Sequence, residues 1–156
     1  MSSVLFVCLG NICRSPTAHG VFQALVERQG LRDQIRVDSA GTGAWHAGES
    51  PDSRATQAAA RRGYDLSQQV ARQVVAADFD QFDYILAMDQ ANLAHLRQMK
   101  PEAYSGYLGL FLDFADCSES EVPDPYYGGG QGFEQVLDLV ESASEGLLDA
   151  IRRGGR

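Results

Sequence analysis

The segment VLFVCLGNICRSP, residues Val4 to Pro16, passes from an apolar run into a short polar loop and then into a helix-start signal. Val4 to Cys8 is a continuous apolar run rich in β-forming residues, which is typical of a strand buried on both faces. Ser15 and Pro16 are typical of a helix N-terminus, with Ser15 as the capping residue and Pro16 in the first turn. The segment therefore predicts a strand, a tight loop and a helix, in that order.

Short apolar runs and amphipathic stretches continue to alternate along the chain. Three more strands are predicted, at Ile35–Ser39, Tyr84–Met88 and Tyr107–Phe111. Stretches with apolar residues at helical spacing separate the strands. Ser50-Pro51 repeats the helix-start signal, Asp89 is predicted to cap the helix after the third strand, and a long amphipathic helix is predicted from Phe133 onward. Strands that alternate with helices indicate a parallel sheet. We therefore predict an α/β fold: a single three-layer domain over residues 1–156, with a central four-stranded parallel twisted sheet and helices on both faces.

The composition limits the classes of function. The 156 residues include 13 Lys or Arg and 21 Asp or Glu, for a formal net charge of −8. This charge disfavours nucleic acid, whose phosphate backbone is bound by clustered Lys and Arg. No apolar run approaches the roughly 18 residues of a membrane-spanning helix, and no basic signal-peptide region opens the chain, so we expect no membrane insertion. Three cysteines are too few for a disulfide framework and favour a reducing, cytoplasmic location.

The loop after the first strand has the composition of an anion-binding site. In parallel α/β folds ligands bind where strands end and helices begin, and the N–H groups of such a turn point toward a bound anion. Arg14 offers a planar fork for two phosphate oxygens. The positive field of the loop favours the thiolate of Cys8, which makes this residue a candidate nucleophile. Ser15 could donate a hydrogen bond to that thiolate.

Other interpretations of this loop are weaker. An isolated cysteine at this position would most simply be a small buried apolar residue, but Cys8 shares its strand–loop–helix with Gly10, Asn11 and Arg14. A nucleotide-binding Walker loop is excluded because no Gly-Lys-Ser/Thr follows the turn. A zinc site is disfavoured because the cysteines lack a second ligand pair at finger spacing. We expect no metal.

Two signatures carry a resemblance to a known family. VCLGNICRSP contains a cysteine, five further residues and then Arg-Ser, and Asp-Pro-Tyr-Tyr stands at residues 124–127. The stretches RVDSAGTG, VARQV and FDYILAMDQANL match the same family pattern. Together they resemble the low-molecular-weight protein tyrosine phosphatases, and the resemblance spans nearly the whole chain.

The resemblance implies a role for each residue of the two signatures. Cys8 is the nucleophile, Arg14 binds the phosphate, and Asp124 is the general acid that protonates the leaving phenolate and later the base that activates water. The implied reaction is hydrolysis of phosphotyrosine through a phosphocysteine intermediate, without a metal or an organic cofactor. The phosphate-binding loop comprises Leu9, Gly10, Asn11, Ile12, Cys13, Arg14 and Ser15, and its shape is supported by Asn11, Ser15 and Ser39.

The resemblance also assigns residues at the edge of the site. Cys13 resembles the family's second cysteine, a redox partner that can form a disulfide with Cys8 and protect it from irreversible oxidation. Aromatic and apolar walls select phosphotyrosine over phosphoserine by depth and by stacking. The predicted wall residues are Leu9, Trp45, Tyr126 and Tyr127.

The chain departs from the family pattern at one place. Eukaryotic members often carry a histidine before VARQ that links to the loop asparagine, whereas this chain reads SQQVARQ. Whether Gln68 or Gln69 replaces the imidazole is left open by the sequence. The three histidines, His19, His46 and His95, are interpreted as surface or supporting residues.

The resemblance suggests partners and one alternative function. WHAG resembles bacterial members, so the predicted partners are phosphotyrosine-containing proteins such as a bacterial tyrosine kinase, with inorganic phosphate as product and inhibitor. Arsenate reductase shares the fold and the loop, and it is the alternative function. Its chemistry resembles a relay through two further cysteines near the third strand, where YILAMDQANLAH has none. The Asp-Pro-Tyr signature favours the phosphatase.

Overall fold

The computed structural model describes residues 2–126 and 130–154. Strands and helices alternate through these ranges, and none of their helices is long and apolar enough to cross a membrane. In chain order the elements are β1 (Ser2–Cys8), α1 (Arg14–Arg28), β2 (Ile35–Gly41), α2 (Ser53–Arg61), α3 (Asp78–Gln81), β3 (Tyr84–Ala87), α4 (Gln90–Met99), β4 (Tyr107–Leu110), a 3-10 helix (Phe111–Phe114) and α5 (Gly130–Arg152).

The strands form one parallel sheet with the order β2-β1-β3-β4. Phe6 in β1 lies opposite Ser39 in β2 and opposite Leu86 in β3, so β1 is central. The chain leaves β1 toward β2 on one side and later returns to the other side at β3. This change of direction opens a crevice between the carboxyl ends of β1 and β3. The predicted four-stranded parallel sheet is confirmed, and the loop after β1 lies at that crevice.

Side chains that alternate along β1 divide the core into one layer on each face of the sheet. Val4 and Phe6, both fully buried, pack with apolar residues of α1, α2 and α5. Leu5 and Val7 face the other way and pack with apolar residues of α3 and α4. Phe6 makes edge contacts with the rings of Phe22 and Phe111, at centroid distances of 5.8 and 4.8 Å. Helices on both faces confirm the predicted three-layer arrangement.

The start of α1 differs from the expected one. The helix begins at Arg14, and Cys13 occupies the N-cap position without a side-chain hydrogen bond to the helix. The prediction that Ser15 caps the helix is wrong, because its hydroxyl faces the sulfur of Cys8 and the amide of Asn11 instead. A residue that is typical of a cap has therefore been used inside the site.

Other element boundaries shift by a few residues. α2 begins at Ser53, after the Ser-Pro signal at residues 50–51, because the carboxylate of Asp52 accepts hydrogen bonds from the first free N–H groups. Asp89 caps α4 as predicted, by accepting from the N–H of Asn92. The sequence does not indicate α3, since its four residues are too few for a periodic pattern.

Phe6→Ala should lower the free energy of unfolding by about 3 to 5 kcal/mol, because it removes a large buried ring and leaves a cavity. Urea denaturation measures the change. Val70→Ala is the control, since the side chain of Val70 is 64% exposed, and it should change stability by less than about 0.5 kcal/mol. Equal effects of the two substitutions would contradict the placement of Phe6 at the centre of the core.

Candidate active site

The phosphate-binding loop, Leu9–Ser15, folds tightly over the end of β1. The N–H of Asn11 donates a hydrogen bond to Cys8 Sγ at 3.3 Å. On the side of β2, a Cβ added to Gly41 would lie 2.8 Å from the carbonyl oxygen of Leu9, so a larger residue would displace the loop. The backbone of the loop is therefore held between the sulfur below it and the end of the neighbouring strand.

Asn11 fixes the turn of the loop. Its φ of 58° places it in the left-handed region, which asparagine enters more readily than other residues with a side chain. Its Nδ2 donates to Ser15 Oγ at 2.8 Å and to Ser39 Oγ at 3.1 Å. Its Oδ1 accepts from the N–H of Arg72 at 3.0 Å. The side chain thus uses both of its amide hydrogens and its oxygen to hold the loop in shape.

These bonds orient the hydroxyl of Ser15 toward the sulfur. Ser15 Oγ lies 3.0 Å from Cys8 Sγ, and both residues are buried. Because the Nδ2 of Asn11 donates, it occupies a lone pair of Ser15 Oγ and leaves the hydroxyl hydrogen for an acceptor. Two acceptors are in reach, Cys8 Sγ at 3.0 Å and the carbonyl oxygen of Ala40 at 3.4 Å, and the sulfur is the nearer. The predicted support of the loop by Asn11, Ser15 and Ser39 is matched by direct contacts among their side chains.

Arg14 lies beneath the loop with only 4% of its side chain exposed. Its Nη1 donates to Asp89 Oδ2 at 2.7 Å and to the carbonyl oxygen of Val122 at 3.1 Å. Burial alone would lower the pKa of Arg14, but the negative charge at Cys8 and the hydrogen bond and charge of Asp89 outweigh it and raise that pKa. Arg14 therefore stays charged, and its guanidinium is held in one direction.

Asp89 is the residue of this site that the sequence reasoning missed. The sequence indicates it only as the cap of α4, a role it also has through its other oxygen. The signal that could have found it is its position directly after β3, since β3 neighbours β1 and their carboxyl ends share one crevice. A carboxylate at that point is within reach of the arginine that follows β1.

Asp124 enters the same cleft from the segment before α5. Its Oδ2 lies 3.7 Å from Arg14 Nη2, and 42% of its side chain is exposed. Its Oδ1 accepts a hydrogen bond from the N–H of Tyr126 at 3.0 Å, which orients the carboxylate. The side chain of Pro125 is buried and anchors the segment. Cys8, Arg14 and Asp124, which lie far apart in sequence, are thus brought to one cleft.

The cleft has a volume of about 320 Å³ and opens beside the phosphate-binding loop. Three of the four predicted wall residues line it; they are Leu9, Trp45 and Tyr126. The side chain of Trp45 is 71% exposed, so it is not a core residue. The fourth predicted wall residue, Tyr127, lies outside the described residues.

His46 also lines the cleft, and the sequence reasoning did not place it there. Its Nδ1 lies 3.2 Å from Glu49 Oε1, and its ring centroid lies 6.4 Å from that of Tyr126. A Cβ added to Gly10 would meet the ring at 3.0 Å. The only available signal was its proximity to Trp45 in the glycine-rich stretch after β2.

Cys13 is buried, with 5% of its surface exposed. Burial, together with the negative charges of Asp52, Cys8 and Asp124, raises the pKa of Cys13 from 9.0 to about 12. Cys13 is therefore a neutral thiol near neutral pH. Cys117 is exposed on the acidic loop before Asp124.

The question left open at residues 68 and 69 has a clear structural answer. Gln69 points inward: its Nε2 donates to the carbonyl oxygen of Pro16 at 2.9 Å, and its Oε1 accepts from Ser39 Oγ at 3.4 Å. Gln68 is exposed and bonds to the adjacent Ser67. Gln69 is therefore the residue that reaches the support of the phosphate-binding loop.

Within residues 2–126 and 130–154, no group of three or more His, Cys, Asp or Glu side chains could hold a metal ion. The groups that line the cleft are instead the thiol of Cys8, the guanidinium of Arg14, the carboxylate of Asp124 and the loop that contains Asn11, whose N–H donates to the sulfur. Such a set suits a phosphate-like anion.

Comparison with known proteins agrees with this geometry. Residues 3–156 match the family model of the low molecular weight phosphotyrosine protein phosphatases. The chain belongs to this family. It is 44% identical to the low molecular weight protein-tyrosine-phosphatase YfkJ of Bacillus subtilis, over 98% of this chain and 97% of that protein. It is 45% identical to a low molecular weight protein-tyrosine-phosphatase of Streptomyces coelicolor, over 96% and 93% of the two chains.

The solved structures show the same similarity. A crystal structure of a protein tyrosine phosphatase from Entamoeba histolytica, with Hepes in its active site, superposes with a TM-score of 0.95. The two chains are 42% identical, and the match covers 99% of each. The fold and the order of the signatures are therefore those of the low molecular weight phosphatases.

Asp89→Asn tests the arginine clamp of this low molecular weight phosphatase, which is the ion pair by which Asp89 holds the guanidinium of Arg14. The amide keeps a capping oxygen for α4 but loses the charge that holds Arg14, so we expect phosphate to bind about tenfold more weakly. Inhibition by inorganic phosphate measures the affinity. Asp89→Ala, the matched variant, should in addition lower the free energy of unfolding by about 1 kcal/mol through loss of the cap. Unchanged phosphate affinity in Asp89→Asn would contradict the clamp.

Cys13 should make the protein less stable in alkali. The folded-state pKa of Cys13 is raised to about 12. As the pH rises past the ordinary pKa of a cysteine thiol, the unfolded chain therefore loses this proton first, and the free energy of unfolding falls. Between about pH 8.5 and about pH 10 this loss should reach about 1.3 kcal/mol. Urea denaturation of the wild type and of Cys13→Ala measures it. Identical slopes against pH would exclude the contribution of Cys13.

Proposed function

We propose that the chain hydrolyses phosphotyrosine in proteins through a phosphocysteine intermediate, with Cys8 as nucleophile, Arg14 as phosphate ligand and Asp124 as general acid and base. One observation carries the proposal: the buried sulfur of Cys8 lies at the floor of the cleft, 3.0 Å from Ser15 Oγ. The guanidinium of Arg14 and the carboxylate of Asp124 face the same cleft. Membership of the phosphatase family supports the same reaction.

In the first step the N–H groups of Leu9–Ser15 and the guanidinium of Arg14 bind the three terminal oxygens of the phosphoryl group. The thiolate of Cys8 attacks phosphorus, and the bond from phosphorus to the tyrosine oxygen breaks. Asp124 gives its proton to the leaving phenolate, which would otherwise depart with a conjugate-acid pKa near 10.

In the second step the phosphate leaves the sulfur. The carboxylate of Asp124, now without its proton, takes one from a water molecule that attacks phosphorus. The sulfur–phosphorus bond breaks, inorganic phosphate forms, and Cys8 returns to the thiolate. The hydrogen bond from Ser15 stabilises that thiolate as a leaving group, as it stabilises it as a nucleophile.

The walls of the cleft support the choice of phosphotyrosine as substrate. Leu9, Trp45 and Tyr126 line the same cleft as Cys8 and Arg14, and an aromatic ring whose phosphoryl group is on the loop can stack on these walls. We propose that residues 1–156 act as one phosphatase domain on phosphotyrosine-containing proteins, a tyrosine kinase among them, and that inorganic phosphate inhibits as product. The reducing location expected from the cysteine count stays a prediction.

Asp124→Ala should slow hydrolysis of phenyl phosphate about 10²- to 10⁴-fold, because the poor leaving group departs without a proton. p-Nitrophenyl phosphate, whose leaving group is already acidic, should slow far less. Steady-state rates in a chelator, so that no metal contributes, give both values, and Cys8→Ser is the control that should be inactive on either substrate. Full activity of Cys8→Ser would sink the mechanism, and thiol-dependent reduction of arsenate by the wild type would favour the alternative function.

We also propose that Cys13 protects Cys8 from irreversible oxidation. Peroxide oxidises the thiolate of Cys8 to a sulfenic acid; the sulfur of Cys13 then attacks it, a disulfide forms, and water leaves. The two residues lie close enough for the charge of Cys8 to raise the pKa of Cys13. Peroxide treatment followed by mass spectrometry should find a Cys8–Cys13 disulfide in the wild type and higher oxides of Cys8 in Cys13→Ala. Equal accumulation of those oxides in both proteins would exclude the protective role.

A further inference from the structure

A partly buried polar cluster lies behind the phosphate-binding loop, on the side away from the cleft. It begins at His19, which follows Ser15 by one helical turn on α1 and therefore projects from the same helix face. His19 Nδ1 lies 3.4 Å from Ser39 Oγ at β2. Ser39 Oγ in turn accepts from Asn11 Nδ2 at 3.1 Å. The cluster joins the imidazole to the residue that shapes the loop.

The hydrogens of this cluster can be assigned by counting donors and acceptors. Ser39 Oγ has one hydrogen and two lone pairs. The amide of Asn11 fills one lone pair, and Gln69 Oε1, at 3.4 Å, takes the hydrogen. The second lone pair then needs a donor, and His19 Nδ1 is the atom that faces it. Every polar atom at this point is satisfied if Nδ1 carries the proton.

The charge state of His19 agrees with this assignment. Burial lowers the pKa of His19, while the charge of Asp38 and a hydrogen bond with Gln69 raise it to a lesser extent. The imidazole is therefore neutral near neutral pH and has a single N–H, for which Ser39 Oγ and the side chain of Gln69 are both within reach. The titratable groups around it are Asp38 on β2 and the residues that line the adjoining cavity of about 650 Å³, namely Glu27, Arg32, Tyr64 and Asp65.

We propose that His19 is a positioning residue for the phosphate-binding loop: its Nδ1–H fixes the hydroxyl of Ser39 as acceptor for Asn11, and so holds the left-handed turn at Asn11 in the phosphate-binding shape. The inference rests on the proposed function, because it assumes that the loop binds phosphate. It also explains how the chain manages without a histidine before VARQ. Gln69 occupies the position next to that motif, and the imidazole comes from α1 instead.

The contact between His19 and Ser39 matters because several contacts together must hold Asn11 in its left-handed conformation. Its side chain bonds to Ser15, Ser39 and the backbone of Arg72. Without a donor from His19, one lone pair of Ser39 Oγ loses its partner, and the hydroxyl is held only by Asn11 and Gln69. The position of Ser39 Oγ, and with it the bond from Asn11, would be less firmly fixed.

Two nearly isosteric substitutions separate the hydrogen bond from packing. His19→Asn keeps an N–H donor close to the position of Nδ1, whereas His19→Leu has a similar shape and no donor. The probe is inorganic phosphate, and the measurement is its protection of Cys8 from alkylation by iodoacetate, followed by intact-protein mass. We expect phosphate to protect His19→Leu about fivefold more weakly than the wild type, as for the loss of one hydrogen bond. We expect His19→Asn to stay within about twofold of the wild type.

A merely structural role would not produce this pattern. An unfolded fraction reacts with iodoacetate without changing the dissociation constant of phosphate for the folded fraction, so the constant reports on the loop alone. Equal constants for His19→Leu and His19→Asn, whether both normal or both weakened, would overturn the proposal. Because alkylation and protection need no turnover, this result is distinguishable from a failure of the proposed function, which would appear as turnover by Cys8→Ser.

Discussion

The left-handed turn at Asn11 is the constraint on which the rest of the site depends. A loop that must aim several N–H groups at one anion, directly above a strand, has to reverse its backbone within a few residues, and an extended or helical residue cannot do so. Asparagine enters the left-handed region at a cost of about 1 kcal/mol or less, which is lower than the cost for bulkier residues. The three hydrogen bonds of its side chain repay that cost and tie the loop to α1, to β2 and to the segment at Arg72.

Charge in this protein is arranged locally rather than globally. The chain carries a formal net charge of −8, so its overall field repels a phosphate dianion. A buried Arg14, held by Asp89 and beside Asp124, provides the local positive group against that background. The neutral form of Cys13 is part of the same balance, because in the proposed mechanism Cys8 is the thiolate, and a second thiolate would offset the positive charge of Arg14. The proposed site therefore has a single nucleophile and a single guanidinium.

The polar residues behind the loop also constrain its shape. Ser15, Ser39 and Gln69 each have one side-chain group turned to another member of the cluster, and this arrangement leaves their hydrogens few alternative directions. Buried polar groups are costly unless they are satisfied. Because one pattern of hydrogen bonds satisfies these polar groups, the loop is held in one shape. Ser15 is the clearest example, since a residue suited to cap a helix instead directs its hydroxyl to the sulfur.

The sequence by itself determined the four strands, the longer helices, their parallel arrangement and the residues of the two family signatures. Apolar runs, turn residues and helical spacing are local properties, and a contiguous loop such as Leu9–Ser15 can be identified from its own residues. Only the tertiary structure decided which groups complete the site from a distance. Asp89 reaches it because the sheet order brings the end of β3 beside β1, and His46 lies on the segment after β2, the other neighbour of β1. His19 lies on α1 and contacts Ser39 behind the loop. Spatial proximity across tens of residues leaves no periodic or compositional signal, and so the choice between Gln68 and Gln69 could be made only from the direction in which each side chain points.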